Sequence, residues 1–200
     1  METDDLIAVL AADKVAPKRP HLARRVLPGL VLSALLVGLV WQIRPDWAQA
    51  ILRAPVLVKS LLPLALAGLA GALLLRRAPD RRLPVAPFAM VAAMAACGWA
   101  VAVATGGDVM GNSALQCLVS IPVLALPIGL PLLLGLRHRV EPRPARAGLL
   151  AGLFAGAAAT ALYALHCNED GAAFFLLWYG LGIAICGFAG RVAGRRMLGV

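Results

Sequence analysis

The chain has 200 residues, of which 61% are hydrophobic and 14% charged, with a formal net charge of +9 and a mean hydropathy of +0.84. Soluble domains run about 45–50% apolar and about 25% charged, so the composition excludes an ordinary water-soluble fold and implies an integral membrane protein. The length fits one compact helical unit.

Residues 1–25 form a polar, basic tail with a short amphipathic opening. Thr3 suits a helix cap, and Asp4 and Asp5 suit the positive end of the helix dipole. Leu6, Ile7 and Leu10 then fall on one helical face. So short a helix is marginal alone in water and needs a partner surface. Pro17 and Pro20 separate it from the first apolar run.

Six apolar runs come next, at 26–43, 56–75, 84–104, 113–136, 145–165 and 173–190. Each is near the roughly 20 residues that cross about 30 Å of hydrocarbon as a helix. The first is longer than a signal-peptide core and comes after a long tail, so it reads as an uncleaved span despite Ala48-Gln49-Ala50 downstream. Every Lys and Arg except Arg44, Arg53 and Lys59 stands in the tails or in the second and fourth connections. The positive-inside rule therefore places both termini in the cytoplasm, and the net charge marks topology more than nucleic-acid binding. Lys59, just inside the second run, is expected to snorkel outward along its stem. The expected fold is all-α, an integral membrane bundle of six transmembrane helices, with residues 1–25 as a cytoplasmic tail and 26–200 as the membrane domain.

The outer connections carry Asp46, Asp108, Glu169 and Asp170, with Trp41, Trp47 and Trp178 near that interface. Between the last two runs stands a polar island, His166-Cys167-Asn168-Glu169-Asp170. The four cysteines show neither a C-x-x-C nor zinc-ligand spacing. Cys97, about 14 Å below the outer surface at 1.5 Å per residue, and Cys186, in the row Gly182–Cys186–Gly190–Gly194, read as small packing residues. Cys117, one turn into the fourth run, and Cys167 share the outer, oxidising face. They are open to three readings: a static disulfide, two unconnected thiols, or a reactive pair that forms a disulfide or takes a soft metal ion. In the last case His166, Glu169, Asp170 and Met110 are candidate supporting ligands.

The fourth run also carries Pro122, Pro127 and Pro131, which fit either a hinge or ordinary proline tolerance in a membrane helix. Gly148, Gly152 and Gly156 form a close-packing stripe in the fifth. No carboxylate or arginine lies mid-span, which removes the usual marker of coupled transport.

Three islands together resemble the negative regulator of sigma F (NrsF-like) family of six-span bacterial inner-membrane anti-sigma factors. The first is Thr3-Asp4-Asp5-Leu6-Ile7 with Leu10-Ala11, and the second is Ser113 with Cys117-Leu118 and Ile121-Pro122. The third is His166-Cys167 with Glu169-Asp170, then Phe174 and Trp178-Tyr179-Gly180. The resemblance implies no enzymatic activity and no resident cofactor. It implies a tail that sequesters an extracytoplasmic-function sigma factor through Thr3, Asp4, Asp5, Leu6, Ile7 and Leu10. It also implies that outward-facing Cys117 and Cys167 sense heavy metal or oxidative stress, with a soft metal ion as a transient ligand at most. Expected partners are the sigma factor and membrane lipids, with no direct nucleic-acid contact. Two other readings compete with it: a membrane thiol oxidoreductase, which lacks a C-x-x-C, and a small metal transporter, which lacks intramembrane charges.

Overall fold

A computed structural model of the chain describes Thr3 and residues 22–75, 85–138 and 142–198. Its long helices are α1 (Leu22–Leu36, continued by a π-helical turn Val37–Trp41), α2 (Ala54–Leu75), α3 (Val85–Ala104), α4 (Ala114–Leu136), α5 (Pro144–Tyr163) and α6 (Ala172–Leu198). Six helices are long and apolar enough to cross a membrane, and the described residues contain no strand. All six expected spans are therefore present. The sixth overruns its apolar stretch to Leu198, with Arg195 and Arg196 in the last turn, where cations complement the helix dipole.

The tightest pair is α5 on α6. Glycine makes it possible: a Cβ on Gly148 or Gly152 would collide with the carbonyl oxygens of Gly190 and Cys186, and one on Gly194 with Pro144. With no side chains at these crossings the backbones touch directly, which is how helices gain packing energy in lipid. Cys186 is buried in this seam, as a small packing residue should be. Cys97 is not: it is exposed on α3, because no residue from Ala86 to Ala104 is buried. That helix packs chiefly on α6 alone.

Helix α4 runs unbroken through its three prolines. Pro131 has no N–H to give the carbonyl of Pro127, one turn earlier, and Gly29 of α1 packs against that freed oxygen so closely that a Cβ would clash. Further along the same antiparallel contact, Ser33 Oγ donates to Leu124 O at 2.8 Å and Trp41 Nε1 donates to Ser120 Oγ at 2.9 Å. Pro131 therefore leaves the Pro127 carbonyl free, and α1 lies against it.

At one end of the bundle the first, third and fifth connections meet. Asn112 N donates to Glu169 Oε1 at 2.9 Å, and Trp178 Nε1 to Val109 O at 2.8 Å. The alternation of six spans requires this convergence. Of the expected tail site, Thr3 is exposed, while Asp4, Asp5, Leu6, Ile7 and Leu10 lie outside the described residues.

Candidate functional site

The converged connections bury two thiols. Cys117, in the first turn of α4, and Cys167, just past the end of α5, are both buried and both free. They lie within hydrogen-bonding contact of each other. Cys117 is set by its helix, whose first turn places the side chain inward, where Ser113 Oγ lies 4.0 Å from its sulfur. Cys167 is set by the turn that closes α5, in which its N–H donates to Tyr163 O at 3.1 Å. The Cys117 S–H has two acceptors in reach, the Tyr163 hydroxyl at 3.6 Å and the Cys167 sulfur. Tyr179 of α6 lies beside Cys167 on the other side, its hydroxyl toward that sulfur.

This surrounding polarises the pair. The Cys117 thiol, hydrogen-bonded to the Cys167 sulfur, lowers the Cys167 pKa below the ordinary thiol value against the opposing effect of burial. Tyr179, the Glu169 backbone and the charge of Lys59 push it the same way. The hydrogen bond thus favours the thiolate form of Cys167 beside a thiol, the arrangement in which one sulfur is the nucleophile and the other its resolving partner.

Behind the sulfurs stands a charged clamp. Lys59 is fully buried, and its Nζ donates to Cys167 O at 2.6 Å, Asp170 Oδ1 at 2.6 Å and Glu169 O at 3.3 Å. The expectation that it snorkels outward is overturned: a carboxylate and two carbonyls at the rim satisfy all three of its protons, so the ammonium has no need of solvent. Arg44, 6% exposed, grips Asp46 with Nε and Nη2 at 2.6 and 2.8 Å. With Nη1 and Nη2 it grips Asp170 at 2.8 and 3.3 Å. Its own N–H donates to Leu165 O at 3.1 Å. Two cations face two carboxylates, so the cluster is neutral overall and every buried charge is paired. The hydrogen bonds that Arg44 donates to Asp46 and then to Asp170 raise its already high pKa. Burial alone would raise the Asp170 carboxyl, but the hydrogen bonds from Arg44 and Lys59 outweigh it and hold the pKa below its ordinary value.

The other expected ligands are not gathered at the sulfurs. His166 Nδ1 donates to Gln42 O at 2.9 Å, and its Nε2 accepts from Gln116 Nε2 at 3.3 Å. Gln42 reaches that position with a positive φ of 64° immediately after the π-helical turn, a strained conformation for a residue with a Cβ. Glu169 holds the Asn112 amide, Asp170 belongs to the clamp, and Met110 is exposed. Among the described residues no group of three His, Cys, Asp or Glu side chains is placed to hold a metal ion. The structure thus joins Cys117 to Cys167 and gives His166, Glu169 and Asp170 structural partners. It adds four residues that sequence reasoning does not single out as parts of a site, namely Lys59, Arg44, Tyr163 and Tyr179. Lys59 had a visible signal, since an ionisable residue inside an apolar span faces a partner by default.

The chain matches the family model "Negative regulator of sigma F" over residues 10–199. It is 39% identical over 214 residues to the anti-sigma-F factor NrsF of Caulobacter vibrioides, covering 99% of both chains. It is 32% identical over 212 residues to a probable anti-sigma-F factor NrsF of Azospira oryzae, again across 99% of both. No solved structure matches the chain. A buried thiol pair on a six-span bundle, matched along almost its whole length by these relatives, places the chain in the NrsF family of negative regulators of sigma F, which are regulators and not enzymes.

Proposed function

We propose that the chain is a transmembrane anti-sigma factor of the inner membrane, with both termini in the cytoplasm. Its tail, residues 1–25, holds an extracytoplasmic-function sigma factor through the face of Leu6, Ile7 and Leu10, with Thr3, Asp4 and Asp5 opening that helix. A short amphipathic helix is suited to lie in a hydrophobic groove of another protein. Family membership supports the anti-sigma role, and the distribution of Lys and Arg supports the orientation.

The outer thiols are the sensor. The observation that carries this reading is the meeting of Cys117 of α4 and Cys167 after α5, with the thiolate of Cys167 favoured by the Cys117 hydrogen bond. A peroxide attacked by that thiolate leaves a sulfenic acid on Cys167 and releases hydroxide. The Cys117 thiol then displaces water from it and the disulfide forms. A soft ion binding both sulfurs displaces the Cys117 proton and draws the pair together in the same way. Either event shifts the connection after α5, to which Lys59 of α2 and Arg44 beyond α1 are bonded, and α1 leads directly into the tail.

An extracytoplasmic-function sigma factor should co-purify with the full chain from membranes. Removing residues 1–25 should abolish that association while leaving the membrane domain folded. Undiminished binding by the shortened chain would remove the tail from the account.

A further inference from the structure

Helix α1 packs chiefly on α4, and two side-chain hydrogen bonds tie them together. Ser33 Oγ donates to a backbone carbonyl, that of Leu124, whose position the helix fixes. Trp41 Nε1 donates instead to a side chain, the hydroxyl of Ser120, at 2.9 Å. Ser120 lies three residues along α4 from Cys117, on the same face, and its hydroxyl is beside that of Tyr163. The Tyr163 oxygen in turn accepts from the Cys117 S–H at 3.6 Å. Four side chains thus connect the thiol pair to α1. Ser120 and Tyr163 are buried, at 5% and 1% exposure, so a hydrogen bond lost at one end has to be made up inside the chain. Trp41 closes the π-helical turn Val37–Trp41, and Gln42 follows with its positive φ. A π-helical turn inserted in an α-helix is rare and gathers at functional places. Its end is held by the Trp41 bond to Ser120 and by the bond of Gln42 O to His166.

We propose that Trp41 reads the state of the thiol pair: the relay Cys117–Tyr163–Ser120–Trp41 pins the π-helical turn of α1 in the reduced protein and releases it when the disulfide forms. The inference deepens the sensor reading and rests on it. The two sulfurs give up two electrons to a peroxide, which leaves as hydroxide and water, and the Cys117 proton goes with the water. In the disulfide the sulfurs stand about 2.05 Å apart, closer than any hydrogen-bonding contact. Cys117 is therefore drawn toward Cys167 and has no proton left to donate. The Tyr163 oxygen then lacks its donor. The next hydroxyl beside it is that of Ser120, and turning that group to Tyr163 takes it away from Trp41. An unpinned π-helical turn is free to rewind as α-helix, which rotates the helix that leads into the tail. Ser120, Tyr163 and Trp41 are positioning residues in this account, since none of them meets the oxidant.

The test follows the full chain in nanodiscs, labelled with fluorotryptophan, by fluorine NMR before and after hydrogen peroxide. Non-reducing peptide mapping confirms the Cys117–Cys167 disulfide in each sample. Trp41→Phe identifies the Trp41 line among the four tryptophans. On oxidation of the wild type that line should shift. Reduced Ser120→Ala, which lacks the acceptor, should place it near the oxidised position from the start. In the disulfide-bearing fraction of Tyr163→Phe, which keeps the ring and loses the relay, oxidation should leave the line where it was. A wild-type Trp41 line that stays put while the disulfide forms would overturn the proposal. So would a full shift in Tyr163→Phe, which would assign the coupling to the clamp of Arg44 and Lys59 instead. No disulfide at all in the wild type would remove the sensor reading, and this inference with it.

Discussion

The ammonium of Lys59 donates to the backbone carbonyl of Cys167 at 2.6 Å, across 108 positions of the chain. The same nitrogen reaches Asp170 at 2.6 Å. A buried cation of the second span thus holds the main chain of the reactive cysteine, and Arg44 ties the same connection to the end of α1. The sulfur is positioned by charge as well as by packing.

Lys59→Met should be strongly destabilising. It leaves the Cys167 carbonyl without its closest donor and removes one of the two cations on Asp170. Breaking one side of a buried ion pair costs about 3–5 kcal/mol. Thermal unfolding in detergent should fall accordingly. Adding Asp170→Asn to Lys59→Met should recover part of the loss, since the unpaired charge goes with it. A Lys59→Met protein as stable as the parent would mean that the clamp carries no weight.

The reactivity of Cys167 should track its lowered pKa. Only the thiolate reacts with iodoacetamide, so its alkylation should persist to a pH below the ordinary thiol range before it falls. The Cys117 hydrogen bond is the largest cause of that lowering. In Cys117→Ala the midpoint should therefore rise toward the ordinary value of about 8.5. Peptide mapping of alkylated Cys167 against pH checks both, and an unmoved midpoint in the variant would exclude the hydrogen bond as the cause.

The glycine seam should tolerate almost nothing. Gly148→Val places its side chain against Gly190 and Gly194 of α6. Forcing packed helices apart should cost at least about 1–3 kcal/mol and reduce the yield of folded protein. Gly68, by contrast, has open space where its Cβ would be. Gly68→Ala should be neutral or stabilise the helix by about 0.5–1 kcal/mol. Matched losses from the two substitutions would contradict the seam.

Much of this was legible in the residues. The six spans and their alternation come from apolar run length and from where Arg and Lys stand. Cys117 and Cys167 were candidates because both lie at the same end of the spans, and the Gly148–Gly152–Gly156 stripe announced its own close packing. The part that stayed hidden is tertiary. Lys59 reads as a snorkelling residue because a stem near a span end usually finds water, and only the fold brings Asp170 and two carbonyls to it. Arg44 reads as a loop charge until Asp46 and Asp170 close on it. His166 and Glu169 look like ligands, and local geometry gives them Gln42, Gln116 and Asn112 instead. Cys97 reads as packing because its span is apolar, but α3 lies at the edge of the bundle and exposes it.

The central claim is that the outer thiol pair governs release of the sigma factor, and the direct measurement is sigma-factor retention by the full chain in nanodiscs before and after peroxide. Wild-type protein should hold its partner when reduced and release most of it after oxidation, with the Cys117–Cys167 disulfide found in the released fraction. The Cys117→Ser/Cys167→Ser protein should hold it under both conditions. Equal release from the wild-type and double-variant proteins would contradict the account.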